Sequence, residues 1–108
     1  MAQLTVQKIS QTGLAPAFAA AAAGGDTFAN GGRAILHVKN GGAGSINVTI
    51  NSVKPCDQGF DHDVVVAVPA AGERIIGPFD PARFNDSSGN VSVTYSGVTT
   101  VTVAALEV

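Results

Sequence analysis

The chain has 108 residues, a net charge of −2 and a charged fraction of only 13%. Nothing in it offers the clustered Lys and Arg that a nucleic-acid backbone requires, and with no Trp and one Tyr it has no aromatic platform for stacking bases or sugars. The length predicts one domain over 1–108, and thirteen glycines set as turn clusters between Val- and Thr-rich runs predict an all-β fold.

In chain order, Leu4, Val6 and Ile9 alternate with Thr5, Gln7 and Lys8 and predict a first strand. Over 14–30 two conformations compete. Ala19 to Ala23 are strong helix formers, but the run is short, follows Pro16 and stops at Gly24 and Gly25. An extended N-terminal arm is expected there, anchored by Phe18 and Phe28. The stretch 33–53 is expected to be a central hairpin. Its first half, 34–39, is apolar nearly throughout, its second alternates Ile46, Val48 and Ile50 with Asn47, Thr49 and Asn51, and 40–44 supplies residues that tolerate positive φ.

Beyond it, Pro55 and Gly59 predict a loop over 54–60, and Val64, Val65, Val66, Ala67 and Val68 form a continuous apolar run of the kind found in buried strands. After a turn at 69–72, Glu73 to Ile76 begin a strand that Gly77 and Pro78 interrupt. Residues 79–84 are expected to form an irregular corner plugged by Phe79 and Phe84, and 86–90 a hairpin turn. Val91, Val93 and Tyr95, then Val101 and Val103, alternate with polar residues in the closing strands. The tally is about eight strands in an antiparallel β-sandwich, jelly-roll or immunoglobulin-like.

The densest polar cluster is Cys56, Asp57, Asp61, His62 and Asp63. Asp57, Asp61 and Asp63 are weak candidates for a metal, but the spacing matches neither an EF-hand loop nor a four-ligand zinc site, so no metal is expected. Turn capping is the simpler role for these carboxylates. His37 lies in an apolar strand, no G-x-S-x-G elbow presents a serine, and no P-loop lysine follows the glycine pairs. Asp80, Arg83 and Asp86 are expected to form a local ion pair. No catalytic residue and no cofactor are assigned, and the chain is expected not to be an enzyme. One cysteine, no leader pattern and no apolar run of spanning length predict a protein made in the cytoplasm, with no membrane partner. A mean hydropathy of +0.27 with so few charges predicts surface buried against other chains, a homo-oligomer with a trimer favoured.

Four stretches, GGDTFANGGRAILHVKNG, CDQGFDHD, ERIIGPFDPARFND and GNVSVTYSGVTTVTVAAL, resemble in their order small proteins encoded among the virion genes of tailed bacteriophages, and among these the capsid decoration or cement proteins. The resemblance implies a structural protein located in the virion that binds the major capsid protein or another virion protein and stabilises the head lattice. A head-to-tail or tail component is a further alternative, and a carbohydrate- or cell-surface-binding β-sandwich module is the competing one. Leu14, Phe18 and Phe28 are the expected interface residues, and removal of residues 1–30 is expected to abolish assembly while leaving the fold.

Overall fold

The Val- and Ile-rich runs fold as strands, as their period of two requires, and the strands assemble into two mixed sheets around one apolar core. The structure, a computed structural model, describes residues 2–53 and 63–108. The first sheet has the order β1 (Ala2–Leu4), β4 (Asp26–Ala29), β9 (Asn90–Tyr95), β6 (Ile46–Ile50), β7 (Val64–Val68). The second has the order β2 (Val6–Lys8), β10 (Val101–Glu107), β5 (Ala34–Asn40), β8 (Glu73–Ile76). Because β5 pairs with β10 along its whole length, the two-residue β3 (Ala19–Ala20) shares the other edge of β10 with β2.

The all-β expectation holds, with corrections of count and direction. Among the described residues ten strands replace about eight, and the sheets are mixed, since β1 runs parallel to β4 and β2 parallel to β10. The first expected strand divides at Thr5, its halves joining different sheets. No helix forms over 19–23; β3 is extended there and pairs with Thr102 and Val103.

The central hairpin is not a hairpin. β5 lies in the second sheet between β10 and β8, and β6 lies in the first between β9 and β7. Both edges of β5 are occupied, so its successor must cross to the opposite sheet, and 41–45 is an arch over the end of the sandwich. The inward face of β6 is nevertheless as its alternation predicts, with Val48 and Ile50 fully buried, and the apolar run of β5 buries Leu36 and Val38 completely and leaves Ile35 and His37 half-buried on the other face. Each fully buried side chain contributes about 2 kcal/mol of hydrophobic stabilisation.

The run 64–68 is corrected too. Among the described residues it is an edge strand, and Val65 on its outer face is 58% exposed. A continuous apolar run signals burial on both faces only when both faces are covered, and the outer face of β7 is bare. Residues 86–90 join a helical turn to β9 and so are not a hairpin turn; the Asp86 carboxylate accepts from the N–H groups of Ser88 and Asn90 at 2.8 and 3.0 Å. That helical turn, α1 (Pro81–Phe84), is capped by Asp80, which accepts from Ala82 N at 3.0 Å, and it has Pro at its start where the missing donor costs nothing. Phe79 and Phe84 are both buried and, with Phe28, form a chain of ring contacts at 5.7 and 5.6 Å between centroids.

Two buried asparagines tie the ends of the sandwich together. Asn30 accepts from Gly32 N and donates to Phe79 O and Asn85 Oδ1, while Asn85 donates back to Asn30 O. Asn40 accepts from Gly42 N and donates towards the carbonyls of Gly44, Val68 and Pro69. Each satisfies loop backbone that would otherwise be buried without partners.

Candidate interaction surface

The expected interface residues fall in different places. Phe28 is completely buried between the sheets, on the inward side of β4 beside Asp26, and serves the chain's own core rather than a neighbour. β4 is an inner strand, paired on both sides with β1 and β9. Removal of 1–30 would delete an inner strand and its aromatic anchor, so loss of the fold is the outcome to expect in place of a surviving fold. Phe18 and Leu14 are partly buried. The Phe18 ring meets His37 edge-on at 5.1 Å and has Lys39 Nζ 4.2 Å above its centre.

That contact places the segment before β3 on the outer face of the second sheet. His37 is the register partner of Ala104, and Ala104 and Leu106 are only 2% and 6% exposed although they lie outside the core cluster. The segment is held by a side chain acting as a peptide unit: Gln7 Nε2 donates to Ala17 O at 2.8 Å, and Ala17 N donates to Gln7 Oε1 at 2.9 Å. A cleft of about 420 Å³ opens where β10 passes from β3 to β2, near Ala104, with Gln3, Gln7 and Phe18 on its walls. The Gln7 carboxamide on its wall already donates one hydrogen bond to Ala17 and accepts one from it.

His37 Nε2 is 3.3 Å from Glu73 Oε1, an ion-pair distance if the imidazole is protonated, but the pair lacks hydrogen-bond geometry. Of the acidic cluster, Asp57 and Asp61, with Cys56 and His62, lie outside the described residues. Asp63 accepts from Ser52 N at 2.8 Å. Among the described residues no group of three or more His, Cys, Asp or Glu is gathered to hold a metal, and no helix is long and apolar enough to cross a membrane. Asp80 and Asp86 cap backbone N–H groups, and the Arg83 guanidinium lies over the Phe84 ring at 4.7 Å.

One polar pair was not anticipated. Asp26 is wholly buried, accepting from Tyr95 Oη at 2.7 Å and from Ala22 N at 3.3 Å through Oδ2, while Oδ1 makes no hydrogen bond. Burial, followed by the hydrogen bond to Asp26 and its charge, pushes the Tyr95 phenol far above its ordinary range. In sequence Asp26 follows two glycines and has the composition of a turn. The available signal was its spacing of two from Phe28, which puts both on one face of a strand.

The two outer faces differ in chemistry. In the strands of the first sheet the one charged residue is Asp26, which points inward. The register sets Gln3, Thr27 and Ser92 in one outward row, Thr94, Thr49 and Val65 in another, and Asn47 beside Ala67. On the second sheet Lys39 and Glu73 face outward, while Lys8, Arg74 and Glu107 lie at its margins in the rows of the inward face. No family model, curated protein or solved structure matches the chain.

Proposed function

We propose that the chain is a structural protein of a tailed-phage virion, a decoration or cement protein that acts by binding the major capsid protein or another virion protein rather than by catalysis. The reading rests first on the sequence resemblance. The observation that supports it is that, among the described residues, the outward positions on the strands of the first sheet carry no charge. Thr, Ser, Asn, Val and Ala on a twisted sheet lose little hydration when covered, whereas charged side chains resist burial without partners. Many copies seated on a lattice would stabilise it through individually modest contacts.

The test is co-sedimentation of the purified protein with phage heads that lack it, followed by localisation of its density on the particle. Saturable binding to heads is expected. Thr94→Arg, which places a charge on the exposed face, should weaken that binding by about tenfold or more with an unchanged melting temperature. Absence of the protein from purified virions, together with no binding to heads, would overturn the proposal.

A further inference from the structure

Sheet edges expose unpaired N–H and C=O groups, and stable monomers guard them with charge, proline, brevity or a covering segment. Four of the five edges here follow that rule. β1 and β2 are three residues long, β2 ends in Lys8, β3 has two residues, and β8 carries Glu73 and Arg74 and is halted by Gly77. The φ of +123° at Gly77, with the backbone of Ala34 about 3.1 Å from where a Cβ would stand, requires glycine at that stop.

β7 is the exception. It is five residues long, reads VVVAV, and has no charge, proline or glycine. It closes the first sheet, and among the described residues no strand pairs with its outer edge. Val65 is more than half exposed, Ala67 is exposed, and Val64 and Val66 on the core side are only partly covered. A further strand along this edge would complete the burial of Val64 and Val66.

We propose that two copies of this chain pair β7 to β7, antiparallel about a two-fold axis, so that the two first sheets become one continuous ten-stranded sheet. A second copy fits because the strand is self-complementary. With the axis at Val66, each Val65 stands opposite Ala67 of the other copy and each Val64 opposite Val68. The neighbouring outward residues Asn47, Thr49 and Thr94 are also uncharged, so no like charges meet across the axis. The same pairing of β8 would bring together two strands that each carry Glu73 and Arg74. This inference does not depend on the virion reading, and an isologous contact predicts an even-numbered assembly in place of the trimer expected from the sequence.

The experiment is the molar mass by light scattering over a dilution series, with protein up to about 1 mM, where an association of about 4 kcal/mol is half complete. The wild type should form a dimer. Val65→Lys/Ala67→Lys sets lysine opposite lysine at both paired positions and should give a monomer, while Val65→Lys/Ala67→Glu, changed at the same sites, sets opposite charges together and should give a dimer. Circular dichroism confirms that each variant is folded. If a variant fails to fold, hydrogen exchange of the wild type decides: the amides of 64–68 should gain protection with concentration, and those of β8 should not. A monomer at every concentration overturns the proposal, and so does an oligomer indifferent to both double substitutions. A wild type that stays monomeric but gains protection at β7 from an unrelated extended peptide would also overturn it, by assigning the edge to another protein.

Discussion

Asn30-Gly31-Gly32 and Asn40-Gly41-Gly42 have the same sequence, flank the same strand and share one hydrogen bond, each asparagine accepting from the N–H two positions on, at 2.9 and 3.0 Å, although only Gly32 takes a positive φ, +101°. They differ in what the carboxamide reaches. At Asn30 one of the two acceptors is the side chain of Asn85, a movable group on a partly exposed loop. At Asn40 every acceptor is a main-chain carbonyl, two of them at the end of β7 in the opposite sheet. Similar local chemistry thus carries unequal weight, because a partly exposed side-chain partner can turn to water when its donor is removed, whereas the Val68 carbonyl that Asn40 meets is buried.

The largest expected effect abolishes the comparison by removing what both turns attach to. Val48→Asp places an unpaired carboxylate at a fully buried position of the shared core and should cost about 4 kcal/mol or more, unfolding the domain in a denaturant titration.

Next, the turns can be set against each other. Asn40→Ala should cost about 2 kcal/mol and Asn30→Ala about 1 kcal/mol by chemical denaturation. Asn40→Asp, which turns a donor into a charge facing carbonyl oxygens, should exceed both. Equal losses for the two alanine variants would show that the movable partner at Asn85 offers no relief.

A smaller effect comes from the Asp26 and Tyr95 pair. The folded state holds the Tyr95 proton more tightly than the unfolded chain, whose phenol titrates near 10.0, so unfolding releases a proton above that pH. Stability is therefore complete below about pH 10 and falls as pH rises beyond it. Tyr95→Phe should lower stability by about 1 kcal/mol at neutral pH and flatten the alkaline decline, as read from melting temperatures between pH 8 and 12. Smallest of all, Thr49→Asp, one residue from Val48 on the outward face, should change stability by no more than about 0.5 kcal/mol, which checks the register.

Much of the fold was legible. The inward faces of β6, β9 and β10 follow from alternation, and the turns at 30–32, 69–72 and 96–97 follow from glycine, proline and asparagine. The arch at 41–45 was not distinguishable from a hairpin loop, since asparagine and glycine serve either connection; the positive φ that a tight hairpin would use is not adopted anywhere in 40–44. The expected surface was legible only in part. Phe18 was placed correctly as an anchor on the body, but Phe28 belongs to the core and the charge-free face had no counterpart in any single stretch. That face is assembled from strands far apart in sequence, Thr27 beside Ser92 and Thr49 beside Thr94.

Properties that act over a few residues, namely strand period, turn chemistry and the cap on α1, were present in the order of amino acids, because backbone sterics and neighbouring side chains set them. Which sheet each strand joins, that β7 ends one of them with its outer face bare, and that Asp26 is buried against Tyr95 depend on pairings across tens of residues. Those pairings follow from which strand edges are occupied and which apolar faces close on each other, and that choice exists only once the two sheets have packed.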